Sequence, residues 1–506
     1  MDAEKELGLE KRSVNSFENS VEDNGEVTST KLSFINNLAT KLNAETKGIE
    51  LVTDEEKVGD SLLNAATMWL SANLVIATFS LGALGITVFG LSFWQSVATI
   101  IAFNFIGVIP VAFFSIFGPK LGLRQVILSK FLIGNFTMRI FGVLNVIACV
   151  GWGAVNIMSS AQLLNIVNNH ALPPWAGCLI LILCTILVTF FGYHVIHLYE
   201  KWSWVPNIAV FLAIIARMKI SGNFTTGTTV GGATTAGDVL SFGATVYGFA
   251  TGWTTYASDY TVYQPRNVSS MKIFFGIYVG LFFPLVFTMI LGSACATGIL
   301  TNTRWADLYG QYSIGGLVYA ILVEDSLGKF GEFLCVLLAL STVANNIPNM
   351  YSIALSAQAI WSPFIKVPRV VWTIVGNFVT LAICIPGYYK FEEVVDNFMA
   401  MIGYYLAIYQ ALALSEHFIY NKGNFNAYDY VNHLDKKSHP IGIAGTVGFC
   451  CGVAGAVIGL CQVWFVGPLA AKIGDFGGDI GFELAFGFAF VAFNIVRPLE
   501  KKYIGR

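Results

Sequence analysis

From residue 66 onward, apolar stretches alternate with short polar breaks: 66–89, 93–117, 139–166, 174–194, 202–220, 239–258, 271–298, 330–360, 370–388, 394–415, 441–465 and 480–497. About 20 apolar residues in an α-helix cover the ~30 Å hydrocarbon core of a bilayer. The pattern therefore predicts an all-α polytopic membrane protein with twelve transmembrane helices. The fifth stretch is the weakest, because it carries Pro206 and Arg217. An even number of spans puts both termini on one side. The segment before them, residues 1–60, is polar, begins MDAEKELGLEKR and has no apolar core of the secretory kind. It is expected to be a disordered tail.

Glycines interrupt two of these stretches. The first contains Ser80-Leu81-Gly82 and Gly85, and the sixth contains Gly243, Gly248 and Gly252. Glycine in membrane helices serves close helix packing, but it also permits backbone that leaves the helix. The two stretches stand five apart. Transporters built from two inverted five-helix repeats break the first helix of each repeat and bind substrate there, near the midplane. The unpaired backbone groups at such breaks need partners. This spacing predicts a five-plus-five inverted-repeat core with broken helices 1 and 6, plus two extra helices. The expected division is a tail at 1–60, a ten-helix core at 61–420, a loop at 421–440, two peripheral helices at 441–497 and a tail at 498–506.

Composition agrees. The 506 residues are 55% hydrophobic and only 12% charged, with mean hydropathy +0.65, whereas soluble domains carry about 25% charged residues. Charge placement orients the chain. With the N-terminus inside, the outer segments hold only Arg217, Lys219, Arg304, Lys329, Lys390 and Lys472, a small share of the 29 Lys and Arg. The positive-inside rule then puts both termini in the cytoplasm. Tail lysines are candidates for regulatory modification, and Asn223-Phe-Thr225 is an outward glycosylation acceptor sequence. The net charge of −2 says nothing about a partner, and no nucleic acid polymer is expected. None of the nine cysteines forms a CxxC pair, and no HExxH, GxSxG or Walker pattern occurs. No metal, cofactor or enzyme chemistry is expected.

Polar residues inside the apolar stretches carry the candidate chemistry. In the third, Trp152 and Asn156 stand four apart on one helix face. An indole at mid-span offers a flat apolar face, and an amide offers a donor and an acceptor together; the pair suits a flat heterocycle with hydrogen-bonding edges. Trp253 in the sixth offers a second face, and Asp259 near its inner end is the candidate proton carrier. The eighth carries Asn345, Asn346 and Asn349 around Pro348. Proline frees a carbonyl one turn back, and three buried amides need partners: helix neighbours, water or a ligand. Ser341 and Thr342 either complete a cation site or cap carbonyls. Asn104, Asn145 and Asn377 read as structural, Glu392, Glu393 and Asp396 as an exposed rim, and Glu483 as interfacial.

Four segments, TDEEKVGDSLLNAATMWLSAN, VGWGAVN, GWTTYASDY and ANNIPNMYS, resemble those of the fungal purine–cytosine permeases of the nucleobase–cation symport family. The resemblance covers roughly residues 50–500. It implies proton-coupled uptake of cytosine, adenine, guanine and hypoxanthine at the plasma membrane. It places substrate between Trp152 and Trp253, held by Asn156, Asn346 and Asn349, with Asn345 and Pro348 supporting. The polar position of the first span falls at Thr78 or Ser80. Sodium-coupled bacterial relatives use a site between spans 1 and 8, and proton coupling follows from the fungal branch. The alternatives are transport of another ring (uracil, allantoin, thiamine or pyridoxine) and a nucleobase sensor that transports nothing.

Overall fold

The computed structural model describes residues 48–57, 62–190, 199 and 201–505. Most of the expected N-terminal tail and the end of the fourth apolar stretch lie outside the described residues. Most of the described residues are helical. The helices are α1 (Leu62–Asn73), α2 (Ile76–Thr87), α3 (Phe93–Phe114), α4 (Phe117–Leu121), α5 (Gln125–Ile133), α6 (Asn135–Val167), α7 (Pro174–Phe190), α8 (Trp204–Ser221) and α9 (Ala233–Thr251). They continue with α10 (Ser270–Ala296), α11 (Thr303–Leu322), α12 (Lys329–Leu340), α13 (Thr342–Ile360), α14 (Arg369–Gly387), α15 (Phe391–Leu414), α16 (Ile443–Gly459) and α17 (Gly481–Ile504). Two two-residue strands, β1 (Cys461–Gln462) and β2 (Phe465–Val466), pair as an antiparallel hairpin between the last two helices. Among the described residues, seven helical stretches are long and apolar enough to cross a membrane, and the bent pair α1–α2 qualifies as one further span.

The first apolar stretch is broken, but not at its glycines. The chain bends by 52° between α1 and α2, where Val75 takes an extended conformation (φ −135°, ψ 161°). Gly82 and Gly85 sit inside the unbroken α2. A Cβ on Gly82 would lie 1.9 Å from the Met289 carbonyl oxygen, and one on Gly292 2.0 Å from that of Phe79. These residues let the backbones of α2 and α10 touch, which is the packing use of glycine. Gly248 does the same in α9, where a Cβ would lie 1.8 Å from the Met399 carbonyl oxygen of α15. Of the sixth stretch's glycines, Gly252 is the one at the break: α9 ends there, and a 3-10 turn (Thr254–Tyr260) follows with Tyr256 at φ −141°.

A third interruption falls at Ser341, between α12 and α13. It faces the first: the Ile76 amide donates to Ser341 Oγ at 3.3 Å. The backbone group left over by one break is thus satisfied by a side chain at another, as burial in an apolar medium requires.

Helix α11 was not expected, because its sequence is too polar to cross a bilayer. Asn302 caps it by accepting from the Trp305 amide at 3.2 Å, and it kinks at Ser313 (φ 51°, ψ −138°). At the other end of the chain α17 runs through Pro498 to Ile504, past the boundary expected at 497. A buried ion pair holds it: Arg497 Nε and Nη2 donate to the Glu416 carboxylate at 2.7 and 2.8 Å. One turn on, the Glu500 carboxylate accepts from the amides of Gly442, Ile443 and Ala444 at 3.0, 3.2 and 3.1 Å. A carboxylate at the positive start of α16 ties the last two helices together.

The 421–440 loop is folded against this end. His433 and His439 are buried, and the His439 ring lies edge-on to Phe131, with centroids 4.4 Å apart. Burial lowers both imidazoles to about 4, helped by the nearby Lys130 ammonium. The unfolded loop binds protons from about pH 6.5 downward, while the docked loop does not until about pH 4. Their contribution to docking is therefore fully present above pH ~6.5 and lost as the pH falls through that window. Limited proteolysis of the loop is expected to accelerate between pH 7 and pH 5, and less so in His433→Phe/His439→Phe; equal acceleration in the variant would assign the effect to other groups.

Candidate functional site

The breaks in the first, sixth and eighth apolar stretches meet α6 in a buried polar patch. At its centre are the four asparagines expected from the sequence. Asn156 Nδ2 donates to Asn345 Oδ1 at 2.6 Å, to Asn346 Oδ1 at 3.1 Å and to the Trp152 carbonyl at 2.9 Å. Asn349 Nδ2 donates to the Asn345 carbonyl at 3.1 Å, one turn back, where Pro348 sits in the helix. Asn345 Nδ2 donates to the Ala72 carbonyl at 2.5 Å, an acceptor exposed by the end of α1. Asn349 Oδ1 accepts from Tyr256 Oη at 2.9 Å.

The four amides differ in what they have left. Asn345 is engaged on both of its ends by protein. Asn156 Oδ1 and Asn346 Nδ2, both buried, have no hydrogen-bond partner. Trp152 Nε1 has none either. One acceptor and two donors are thus unsatisfied within a single cluster. A buried unpaired polar group costs about 1–3 kcal/mol, so three together mark a place that a polar ligand stabilises.

The indoles of Trp152 and Trp253 are both buried and stack at 5.9 Å between centroids, with 21° between planes. Phe249 and Phe398 meet Trp152 edge-on, at 4.7 and 6.3 Å. Gly252 is needed here, because a Cβ would lie 2.5 Å from Trp152 Cζ2. Trp253 is held by its Nε1 donating to Asn73 Oδ1 at 3.3 Å, by Trp69 at 5.0 Å and 64°, and by Tyr256 at 5.5 Å. A third ring between two others needs about two contact distances of 3.5 Å, or ~7 Å. The 5.9 Å between centroids is less than that, so a sandwiched ring requires the indoles to move apart.

The remaining expected residues divide. Thr78 is buried with its hydroxyl unpartnered, whereas Ser80 Oγ donates to its own helix at Ile76 O, 2.8 Å. Neither joins the amide cluster's hydrogen bonds. Ser341 Oγ and Thr342 Oγ1 donate to Leu338 O and Ala339 O, at 2.5 and 3.0 Å, and so cap carbonyls. Asp259 is buried, not solvated: its Oδ1 accepts from the Gln125 amide at the start of α5 at 2.7 Å, and its carbonyl accepts from Arg124 Nη1 at 2.8 Å. Asp396 is no exposed rim residue, since Thr245 Oγ1 of α9 donates to it at 2.7 Å.

Sequence reasoning missed Asn73, Trp69 and Tyr256. The tryptophan and Asn73 lie just before the break, in a stretch whose glycines drew attention further on. Tyr256 sits in the GWTTYASDY segment, but nothing in its spacing links it to Asn349.

The comparisons with known proteins fit this geometry. The family profile described as permease for cytosine/purines, uracil, thiamine, allantoin matches residues 51–481. The purine-cytosine permease FCY2 of Saccharomyces cerevisiae is 60% identical over 481 residues, covering 94% of this chain and 90% of the relative. The purine-cytosine permease fcyB of Emericella nidulans is 46% identical, covering 93% and 92%. Among solved structures, Mhp1, a nucleobase-cation-symport-1 family transporter in a closed conformation with bromovinylhydantoin bound, shares the fold at TM-score 0.63. It is 15% identical over 91% of this chain and 95% of that one. With its helices, its breaks and this match over most of its length, the chain belongs to the family of membrane permeases for cytosine/purines, uracil, thiamine and allantoin.

Proposed function

We propose that the protein is a proton-coupled symporter that imports cytosine and the purine bases adenine, guanine and hypoxanthine across the plasma membrane by alternating access. The reading includes twelve spans, a five-plus-five inverted-repeat core, α16 and α17 as the added pair, and cytoplasmic termini. The observation that carries it is the pairing of two stacked, buried indoles with an amide cluster in which Asn156 Oδ1, Asn346 Nδ2 and Trp152 Nε1 have no partner.

A base entering from outside separates the indoles and lies between them. Its N–H groups donate to Asn156 Oδ1, and its ring nitrogen or carbonyl accepts from Asn346 Nδ2. Asn349 completes the edge and links it to Tyr256 of the sixth stretch, and Asn345 supports it and links it to Ala72 of the first. Edge pairing discriminates strongly, because an analogue that lacks one partner leaves a buried amide unpaired. The helices that carry the faces and the edge are the broken ones, so a rocking of one bundle against the other carries the site from one side to the other.

Asp259 is the proposed proton carrier. Its carboxylate latches the 3-10 turn after α9 to the start of α5. Protonation weakens that charge-assisted bond and so loosens the inner end. Asp259→Asn is expected to flatten the dependence of cytosine uptake on external pH; a retained dependence there, with loss in Asp396→Asn, would move the proton to Asp396.

The test of the whole reading is uptake of radiolabelled cytosine by cells lacking other permeases, competed with unlabelled bases. Saturable uptake, competed by adenine, guanine and hypoxanthine, supports it. Competition by uracil, allantoin, thiamine or pyridoxine alone would assign another ring, and binding without uptake would make the protein a sensor.

A further inference from the structure

A second cavity, of about 380 Å³, stands apart from the amide cluster between α6, α11 and the start of α15. Its volume lies within the ~300–1,000 Å³ of small-molecule sites. Gln162 lines it, six residues beyond Asn156 on the same helix, or about 9 Å further along the α6 axis. Gln162 is buried to 4% exposure, and its Oε1 has no hydrogen-bond partner. Its neighbour in the lining, Asn165, is satisfied by Leu172 O at 2.8 Å and by His170, so the idle oxygen is particular to Gln162.

The other walls suit a flat ring. Tyr309, Tyr312 and Tyr388 line the cavity. Tyr312 already stacks on the His170 ring, with centroids 4.5 Å apart and planes at 18°, which shows how a planar heterocycle sits against it. Glu392, also in the lining, accepts from Ser313 Oγ. Ser313 is the left-handed kink of α11, a strained conformation of the kind that collects at ligand clamps. The lining offers acceptors in the Gln162 amide oxygen and the Glu392 carboxylate, beside the Lys390 ammonium as a donor.

We propose that this cavity is a second, weaker binding subsite for the same class of ligand as the central site: a planar nitrogen heterocycle that donates N–H groups to Gln162 and Glu392 and lays its face on a tyrosine. The inference rests on the transport reading above, which makes the cavity the outer antechamber of the path to Asn156. Gln162 stands ten residues, or about 15 Å along the α6 axis, beyond Trp152, so a base held in the cavity raises the local concentration of substrate outside the central site.

Equilibrium binding of radiolabelled cytosine to the purified full-length protein in lipid nanodiscs tests this. Two classes of site are expected. Asn349→Ala should lose the tight class and keep the weak one, and Gln162→Leu should weaken the weak class at least tenfold while keeping the tight one. A single class, lost in Asn349→Ala and unmoved by Gln162→Leu, would overturn the subsite and leave the transport reading intact. No cytosine binding by the unaltered protein would overturn both. A second measurement does not depend on replacing Gln162. Tyr389, which also lines the cavity, is 76% exposed, so Tyr389→Cys should react with a membrane-impermeant thiol reagent. Cytosine is expected to slow that reaction at least threefold in the Asn349→Ala background, and an unchanged rate would overturn the subsite.

Discussion

Asn346→Ala is expected to raise the KM for cytosine uptake about ten- to a hundredfold, while the protein still reaches the membrane at normal abundance. The argument rests on what the side chain does in the absence of substrate. Its Nδ2 has no partner, and its Oδ1 accepts one bond, from Asn156 at 3.1 Å, which Asn156 shares with Asn345 at 2.6 Å. Removing the amide therefore costs the fold little and costs the bound base one edge contact, about 1–3 kcal/mol when the partner is left buried and unpaired. Asn345 is the contrasting case. It holds the Ala72 carbonyl at the first break and accepts from both Asn156 and Asn349. Asn345→Ala should lower surface abundance and thermal stability before any change in KM is measured. A normal KM in Asn346→Ala at normal abundance would remove this amide from the recognition edge. A tenfold KM effect in Asn345→Ala with unchanged stability would exchange the two roles.

The contrast also marks how far the sequence could be read. Hydrophobic periodicity located the apolar helices, because a bilayer leaves a chain few other ways to satisfy its backbone. The buried polar residues were legible for the same reason: three amides and a proline inside an apolar run have no cheap explanation. What the pattern could not supply was which neighbour each polar atom meets. Glycine marks both a helix break and a close helix contact, and only packing separates the two. Gly82 touches Met289 of α10, while the bend lies at Leu74–Val75, with no glycine in it. Asn73, Trp69 and Tyr256 became site residues only once the first and sixth stretches were brought together. Asp396 carried the same ambiguity: a carboxylate at a helix start reads as rim until a threonine on another helix is found against it. Helix α11 escaped notice because it is polar enough to pass for a loop, and it roofs the second cavity.

Trp152→Ala should abolish measurable cytosine binding, a loss beyond a hundredfold, whereas Trp152→Phe should stay within about tenfold of the unaltered protein. Stacking of a base on an aromatic ring contributes about 1–3 kcal/mol, and the alanine variant loses that face. It also leaves a void between Phe249, Phe398 and Trp253, into which the opposite indole can fall. The phenylalanine variant keeps a face and most of the volume and loses the indole donor. The 5.9 Å separation of the indoles adds a spectroscopic signature. A base can lie between the rings only by moving them apart, so tryptophan fluorescence should change on cytosine addition in the unaltered protein and in Trp152→Phe, but not in Trp152→Ala. Cytosine binding by Trp152→Ala at unaltered affinity would mean that the ring does not lie between the indoles. The amide edge would then have to recognise its ligand from another direction, and the stacked pair would be a packing contact alone.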